Sequence, residues 1–228
     1  TNVRSVLDYG DGDFVLLCLD KDFILGESLD LFIKELEQKK NLLTCGYCEL
    51  NSQNNNGEII ISHCEIRKNI YRCGHPSGYF FKNNILKKIK YEINLFDQYN
   101  IFYNNPFLVD FAYAHCLIEG KEGVYTGKLV FPETSEQGST TKSYSYNKNN
   151  LFFIPEYKRK QMFLFYKHLE YLDIEHNEKK KIVETLFKRT LYDCTLGYKK
   201  IMRNQSICDH YFIECENIGV KKMFYEIK

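Results

Sequence analysis

Excess charge of either sign is the first thing this sequence lacks. Lys and Arg total 31 against 30 Asp and Glu, so the chain as a whole carries no electrostatic footprint for nucleic acid, and no nucleic-acid partner is expected. A long apolar run is missing too. None approaches the ~18 residues that a membrane-spanning helix needs, and none has the layout of a signal peptide. The nine cysteines lack the even number and dense spacing of a disulfide framework, which points to reduced thiols in a cytoplasmic protein. There is no internal repeat and no Gly-x-Ser-x-Gly nucleophile elbow. Asn204-Gln205-Ser206 has the form of a glycosylation sequon, but nothing else places the chain in a secretory route.

What is present is ample material for a core. The 228 residues are 44% apolar and 15% aromatic, a globular composition rather than a disordered one. Charge is mildly uneven along the chain. Residues 1–150 hold 16 Lys and Arg against 19 Asp and Glu, whereas 151–228 hold 15 against 11, so the C-terminal part is the basic one. Residues 13–19 read as a buried strand after the turn-like Tyr9-Gly10-Asp11-Gly12. A helix of about a dozen residues is predicted next, with Leu29, Phe32, Ile33 and Leu36 on its apolar stripe. Strands at 42–50 and 58–66, separated by the polar cluster Asn51 to Gly57, suggest a hairpin. Residues 79–93 look helical, a further helix is expected from Pro106 to Glu119 before Gly120, and 123–131 reads as a strand. Residues 132–150 are polar and predict a long mobile loop. From Pro155 onward the pattern is helical, with stripes at Met162, Phe165, Tyr166 and Leu169 and at Ile182, Leu186, Thr190 and Leu191. Strand, helix, strand in that order predicts an α/β layer architecture with a helical C-terminal region.

The chemistry centres on how the first strand ends. The run Phe14-Val15-Leu16-Leu17-Cys18-Leu19 stops at Asp20-Lys21-Asp22. In open α/β sheets, ligands bind outside the carboxyl ends of the strands. If the extended path continues, period-two geometry sends Asp20 and Asp22 to one side. Paired hard oxygen donors there suit Mg²⁺ or Mn²⁺, which would neutralise a diphosphate as it leaves. Asp-x-Asp triplets are also common as ordinary surface turns, and that reading stands beside the first. Lys21 is assigned no role.

Gly12 through Asp22 resembles the central strand and metal motif of the family 2 glycosyltransferases, inverting enzymes with a GT-A fold. Asn2 through Phe14 is compatible with the segment that precedes that strand in the family. Gly74-His75-Pro76-Ser77-Gly78-Tyr79-Phe80-Phe81-Lys82-Asn83-Asn84-Ile85-Leu86 is similar to the family's loop that lines the acceptor pocket ahead of a helix. The likeness covers roughly residues 2–131, and transferases of bacterial capsule and lipo-oligosaccharide synthesis are the nearest analogues. The resemblance implies a GT-A-like mixed sheet flanked by helices at 1–131, the loop at 132–150 and a helical region at 151–228. It also implies Asp20 and Asp22 as metal and donor ligands, with Mn²⁺ or Mg²⁺ as cofactor.

The same resemblance implies a nucleotide-sugar donor and a saccharide or lipid-linked saccharide acceptor. The general base would be Asp110, in Pro106-Phe107-Leu108-Val109-Asp110-Phe111-Ala112, where the family writes two acids and this chain has Val109 in the first place. Asp110 also fits an acid that complements a helix dipole from its first turn, and Glu119 is the reserve candidate for the base. Family members carry about a hundred residues before the metal motif, the size of a small domain. Nineteen precede Asp20 here, so the nucleotide-binding part is expected upstream of Thr1.

His75, Pro76, Ser77 and Gly78 would shape the acceptor site, His75 through a sugar hydroxyl or phosphate or simply as a loop His held by local bonds. Cys45-Gly46-Tyr47-Cys48, with Cys64 and Cys73, opens like a zinc motif but lacks a second close pair, so core filling is the expected use. The tail interleaves Tyr157, Phe163, Phe165, Tyr166, Tyr171, Tyr192, Tyr198 and Tyr211 with Lys and Arg. Core or homodimer packing is the expected use of these aromatics, ahead of peripheral contact with the inner face of a membrane. A noncatalytic binding or scaffold protein that keeps such a sheet is the alternative to a transferase.

Overall fold

The computed structural model describes residues 10–19, 22–50, 52–62, 70–71, 76–89, 108–131 and 155–203, with side chains in the last span described at 158 and 161–195. In chain order the elements are β1 (Phe14–Leu16), β2 (Phe23–Ile24), α1 (Gly26–Lys39), β3 (Leu43–Cys48), β4 (Ile59–Ile61), β5 (Tyr79–Lys82), α2 (83–89), α3 (Leu108–Glu119), β6 (Lys121–Tyr125), β7 (Val130–Phe131), α4 (Pro155–Leu169) and α5 (His176–Arg203). Asp20, His75, Cys64, Cys73 and the expected loop at 132–150 lie outside the described residues. The chain divides into two compact units, one of Thr1–Glu133 with Leu164–Val183, the other of Thr134–Phe163 with Glu184–Lys228.

The first unit is a mixed α/β layer structure. Its five-stranded sheet has the order β1-β5-β3-β6-β4. β5 runs antiparallel to both β1 and β3, and β6 runs parallel to β3. It follows that β1, β3 and β6 all point the same way, and their carboxyl ends lie along one edge. β2 and β7 form a separate antiparallel pair, with Phe23 stacked on Phe131.

Among the described residues, α1 packs on one face of the sheet and α3 on the other. On the first face Phe32 of α1 meets Phe80 and Tyr125 edge-on, at 5.3 and 5.2 Å between ring centroids, in a core completed by Leu43, Cys48, Ile59, Leu129 and Val130. Close approach is possible because glycines pair across β3 and β6. A Cβ on Gly46 would sit 2.1 Å from the Gly123 carbonyl oxygen and 2.2 Å from the Phe80 ring. On the second face lies α3, nine of whose twelve residues are buried, as befits a helix apolar all round. Tyr113 packs against Tyr79 and Phe81 and donates its hydroxyl to the buried Glu122 carboxylate.

Several expectations need correction. β3 and β4 are not a hairpin, because β6 lies between them and pairs with both; a polar connection marks a turn but not which strands become neighbours. Tyr79–Lys82 is a strand rather than the start of a helix, and the helix begins at 83. In the aromatic run Tyr79-Phe80-Phe81 of this central strand, Phe80 and Phe81 are buried on opposite faces and Tyr79 is half-buried, a pattern that helical periodicity mimics over so short a span. The strand expected at 123–131 is two strands in two sheets. Ile33, Tyr166 and Leu191 are exposed rather than on buried stripes. The helix ending at Glu119 is present, as are the helices beginning at Gly26 and Pro155.

The edge strand β4 is held by α1. Glu35 accepts the Ile59 N–H at 3.1 Å, and Lys39, paired with Glu35 at 2.9 Å, donates to the Ile59 carbonyl. Such cover blunts an otherwise open edge. In the second unit Lys158 and Arg189 reach Asp193 at 3.4 and 3.9 Å. Among the described residues no helix is long and apolar enough to cross a membrane.

Candidate functional site

The carboxyl end of β1 is tied to the turn that begins β5. The ladder continues past Leu16: the Leu17 N–H donates to the Tyr79 carbonyl at 2.8 Å, and the Leu17 carbonyl accepts from the Gly78 N–H at 2.9 Å. Two residues on, the Leu19 N–H donates to Ser77 Oγ at 2.8 Å. The Ser77 hydroxyl in turn donates to Asp22 Oδ2. Ser77, 1% exposed, thus accepts from a backbone N–H at the end of the strand and donates a hydrogen bond to a half-buried carboxylate.

Local geometry explains why this loop carries Ser-Gly. Gly78 has φ of +90°, a conformation that side-chain-bearing residues rarely adopt, and its carbonyl accepts from the Cys48 N–H at 2.8 Å. The Tyr79 N–H reaches the Pro76 carbonyl at 3.4 Å, closing a turn over Pro76, Ser77 and Gly78. That turn therefore lies between the ends of β1 and β3. The Asp22 N–H bonds the Leu19 carbonyl at 3.0 Å, three residues back. The chain turns after Leu19, which corrects the premise of an extended path through Asp22. The turn brings the carboxylate back over the serine instead of continuing along the strand.

Asp110 belongs to the same edge of the sheet by topology. α3 is joined to the start of β6 by Gly120 alone and packs on β3, β5 and β6, so it runs back against the direction of β6. Its Cys116 carbonyl accepts from Thr44 near the start of β3, and its Tyr113 meets Tyr79 at the start of β5. The first turn, with Asp110, is one turn further toward the carboxyl edge. Asp110 is 4% exposed, and it lies near enough to the Tyr71 hydroxyl to add to the upward push that burial gives that phenol. Glu119 is exposed at the opposite end of α3, away from this edge.

The structure thus joins Asp22 to Ser77 and Gly78 and puts Asp110 at the same end of the sheet. Three side chains that the sequence did not single out sit behind it. Tyr71 Oη and His168 Nδ1 are 2.7 Å apart, as are His168 Nε2 and His115 Nε2. No spacing rule could have found them, since 97 residues separate Tyr71 from His168.

Cys45 and Cys48, three residues apart in a strand, face opposite sides, and burial pushes both thiols up. That suits core filling and not a metal. Among the described residues no cluster of three or more His, Cys, Asp or Glu side chains is placed to hold a metal ion. At the β1 end the described side-chain donors are the Asp22 carboxylate, the Ser77 hydroxyl and the Cys18 thiol, whose sulfur lies 3.6 Å from the Asp22 carbonyl oxygen; the two oxygen donors suit a hard cation such as Mg²⁺ or Mn²⁺, and the thiol does not. A cavity of about 320 Å³ lies elsewhere, at the amino end of β1, lined by residues that include Asp13, Phe14, Lys40, Lys82, Asn83 and Lys87.

No protein-family model matches the chain, and no curated protein does. Among solved structures, the crystal structure of S. aureus TarS 1–349, a glycosyltransferase, is similar with a TM-score of 0.48 and 14% identity. The match covers 80% of this chain and 48% of that one, so the chain spans about half the length of that structure.

Proposed function

We propose that the protein is a glycosyltransferase that moves a sugar from a nucleotide-sugar donor to a saccharide or lipid-linked saccharide acceptor, with inversion. The observation that carries this reading is the Ser77 bridge between the Leu19 N–H and the Asp22 carboxylate. It gathers the acid of the strand-end motif and the loop of the acceptor motif, which are 55 residues apart in sequence, at the edge where α/β sheets bind ligands. Asp22, with Asp20, would hold Mn²⁺ or Mg²⁺, which when bound neutralises charge on the departing diphosphate. Asp110 would accept the proton of the acceptor hydroxyl as its oxygen bonds the anomeric carbon and the bond to the diphosphate breaks. Pro76, Ser77 and Gly78, with His75, would border the acceptor. The basic, aromatic tail would pack in a homodimer or lie against an anionic membrane surface.

Thermal unfolding of the chain extended upstream of Thr1, in the presence of Mn²⁺ with UDP, GDP or ADP, tests the reading. At a hundredfold excess over Kd a bound ligand adds about 2.7 kcal/mol, so one of the three should raise Tm clearly, and Asp22→Ala should abolish the rise. No rise with any of them would favour the scaffold alternative.

A further inference from the structure

Behind the candidate site runs a chain of hydrogen bonds that the proposed transfer does not use. Tyr71 and His168 are each 0% exposed. Tyr71 stands at φ +60°, stacked flat on Phe165 at 4.2 Å and edge-on to Phe111. The His168 ring lies 4.7 Å from Phe111 and 4.6 Å from His115, and His115 is half-buried. With their rings pinned by packing, these groups can change state by moving protons far more readily than by moving atoms.

We propose that His115, His168 and Tyr71 form a two-position hydrogen-bond switch, in which protonation of His115 reverses the chain and turns the Tyr71 hydroxyl proton away from His168. Proton counting carries this. Two imidazole nitrogens 2.7 Å apart need one N–H and one lone pair between them. Burial first, and His115 second, hold His168 well below the usual histidine range, so it keeps a single ring proton. In the forward order Tyr71 donates to His168 Nδ1, and His168 Nε2–H donates to His115 Nε2. A charged His115 carries a proton on Nε2 and can only donate. His168 must then accept at Nε2 and place its proton on Nδ1, which donates to Tyr71 Oη, and the phenol proton must find another acceptor.

Among the described residues, the titratable groups facing this chain include Asp110 and His115 from α3, Tyr71 itself and, from α4, His168. The carboxylate of Asp110 is near enough to raise the phenol. The switch therefore reads the protonation of a half-buried histidine at a buried hydroxyl beside Asp110. Its bearing on transfer rests on Asp110 being the base; the switch itself does not.

The full chain labelled with ¹⁵N-histidine, followed by long-range ¹H–¹⁵N spectra from about pH 8 to about pH 5, tests it. As His115 titrates, His168 should move its proton from Nε2 to Nδ1 without taking up a second one. His115→Gln should remove this pH-dependent exchange. One unchanging His168 tautomer through the His115 titration, or a His168 that itself becomes doubly protonated, would overturn the proposal. No metal, nucleotide or acceptor enters the measurement, so its failure is separate from a failure of the transferase reading.

Discussion

Removing the Ser77 hydroxyl strikes the junction on which the site is built, and its cost can be worked from the contacts. Ser77→Ala deletes the acceptor of the Leu19 N–H, 2.8 Å away, and the donor to Asp22. A neutral hydrogen bond contributes about 1 kcal/mol and one to a charged group about 1.5–3. Asp22 is half-buried, so water recovers part of the second contribution. The variant should therefore lose about 1.5–3 kcal/mol, with little change in the dependence on denaturant. Urea unfolding reads this as a shift in midpoint at constant slope. A double-mutant cycle with Asp22→Ala isolates the pair: a coupling of about 1 kcal/mol or more is expected, whereas additivity within about 0.3–0.5 kcal/mol is the signature of independent sites. A loss below about 0.5 kcal/mol in Ser77→Ala, or additivity in the cycle, would refute the junction.

Other consequences follow from particular contacts. Gly46→Ala places a methyl against the Gly123 carbonyl and the Phe80 ring, and should destabilise by about 1–3 kcal/mol or more through overpacking, read by chemical denaturation. His168 is held below its ordinary 6.5 by burial and His115; its contribution to stability is whole above that value and is lost as pH falls below it, so Tm should drop on acidification and drop less steeply in His168→Phe. Glu35 is held low by its bonds to Lys39 and the Ile59 N–H, so its support of β4 is complete above the ordinary 4.5 and is lost as pH falls through its lower folded value. Glu35→Ala should speed hydrogen exchange at the Ile59 amide at neutral pH, where an unchanged rate would count against the pairing.

The layer architecture was legible because local signals and burial agree in β1, α1 and α3: an apolar run ending in acids, a stripe through Phe32, and a helix closed by Gly120. Strand neighbours were not. Nothing in residues 42–66 announces that β6, some sixty residues on, will separate β3 from β4. Tyr79–Lys82 was misread because three successive aromatics, half-buried at Tyr79 and buried at Phe80 and Phe81, carry no alternation. In the site, Asp22 and the Ser77-Gly78 turn were readable as motifs, but their bond was not, since it depends on antiparallel pairing of β1 with β5. The direction of Asp22 was missed for a local reason, the turn closed on the Leu19 carbonyl. The Tyr71–His168–His115 chain was invisible in sequence because it joins three distant segments through packing alone.

The central claim is that the carboxylate at the end of β1 holds a divalent cation, and Mn²⁺ titration by electron paramagnetic resonance tests it most directly. The account predicts that the protein quenches the free-ion signal with about one site per chain, and that Asp22→Ala restores the signal while His115→Gln does not. Full free-ion signal with the unaltered protein, or equal quenching by Asp22→Ala, would contradict it.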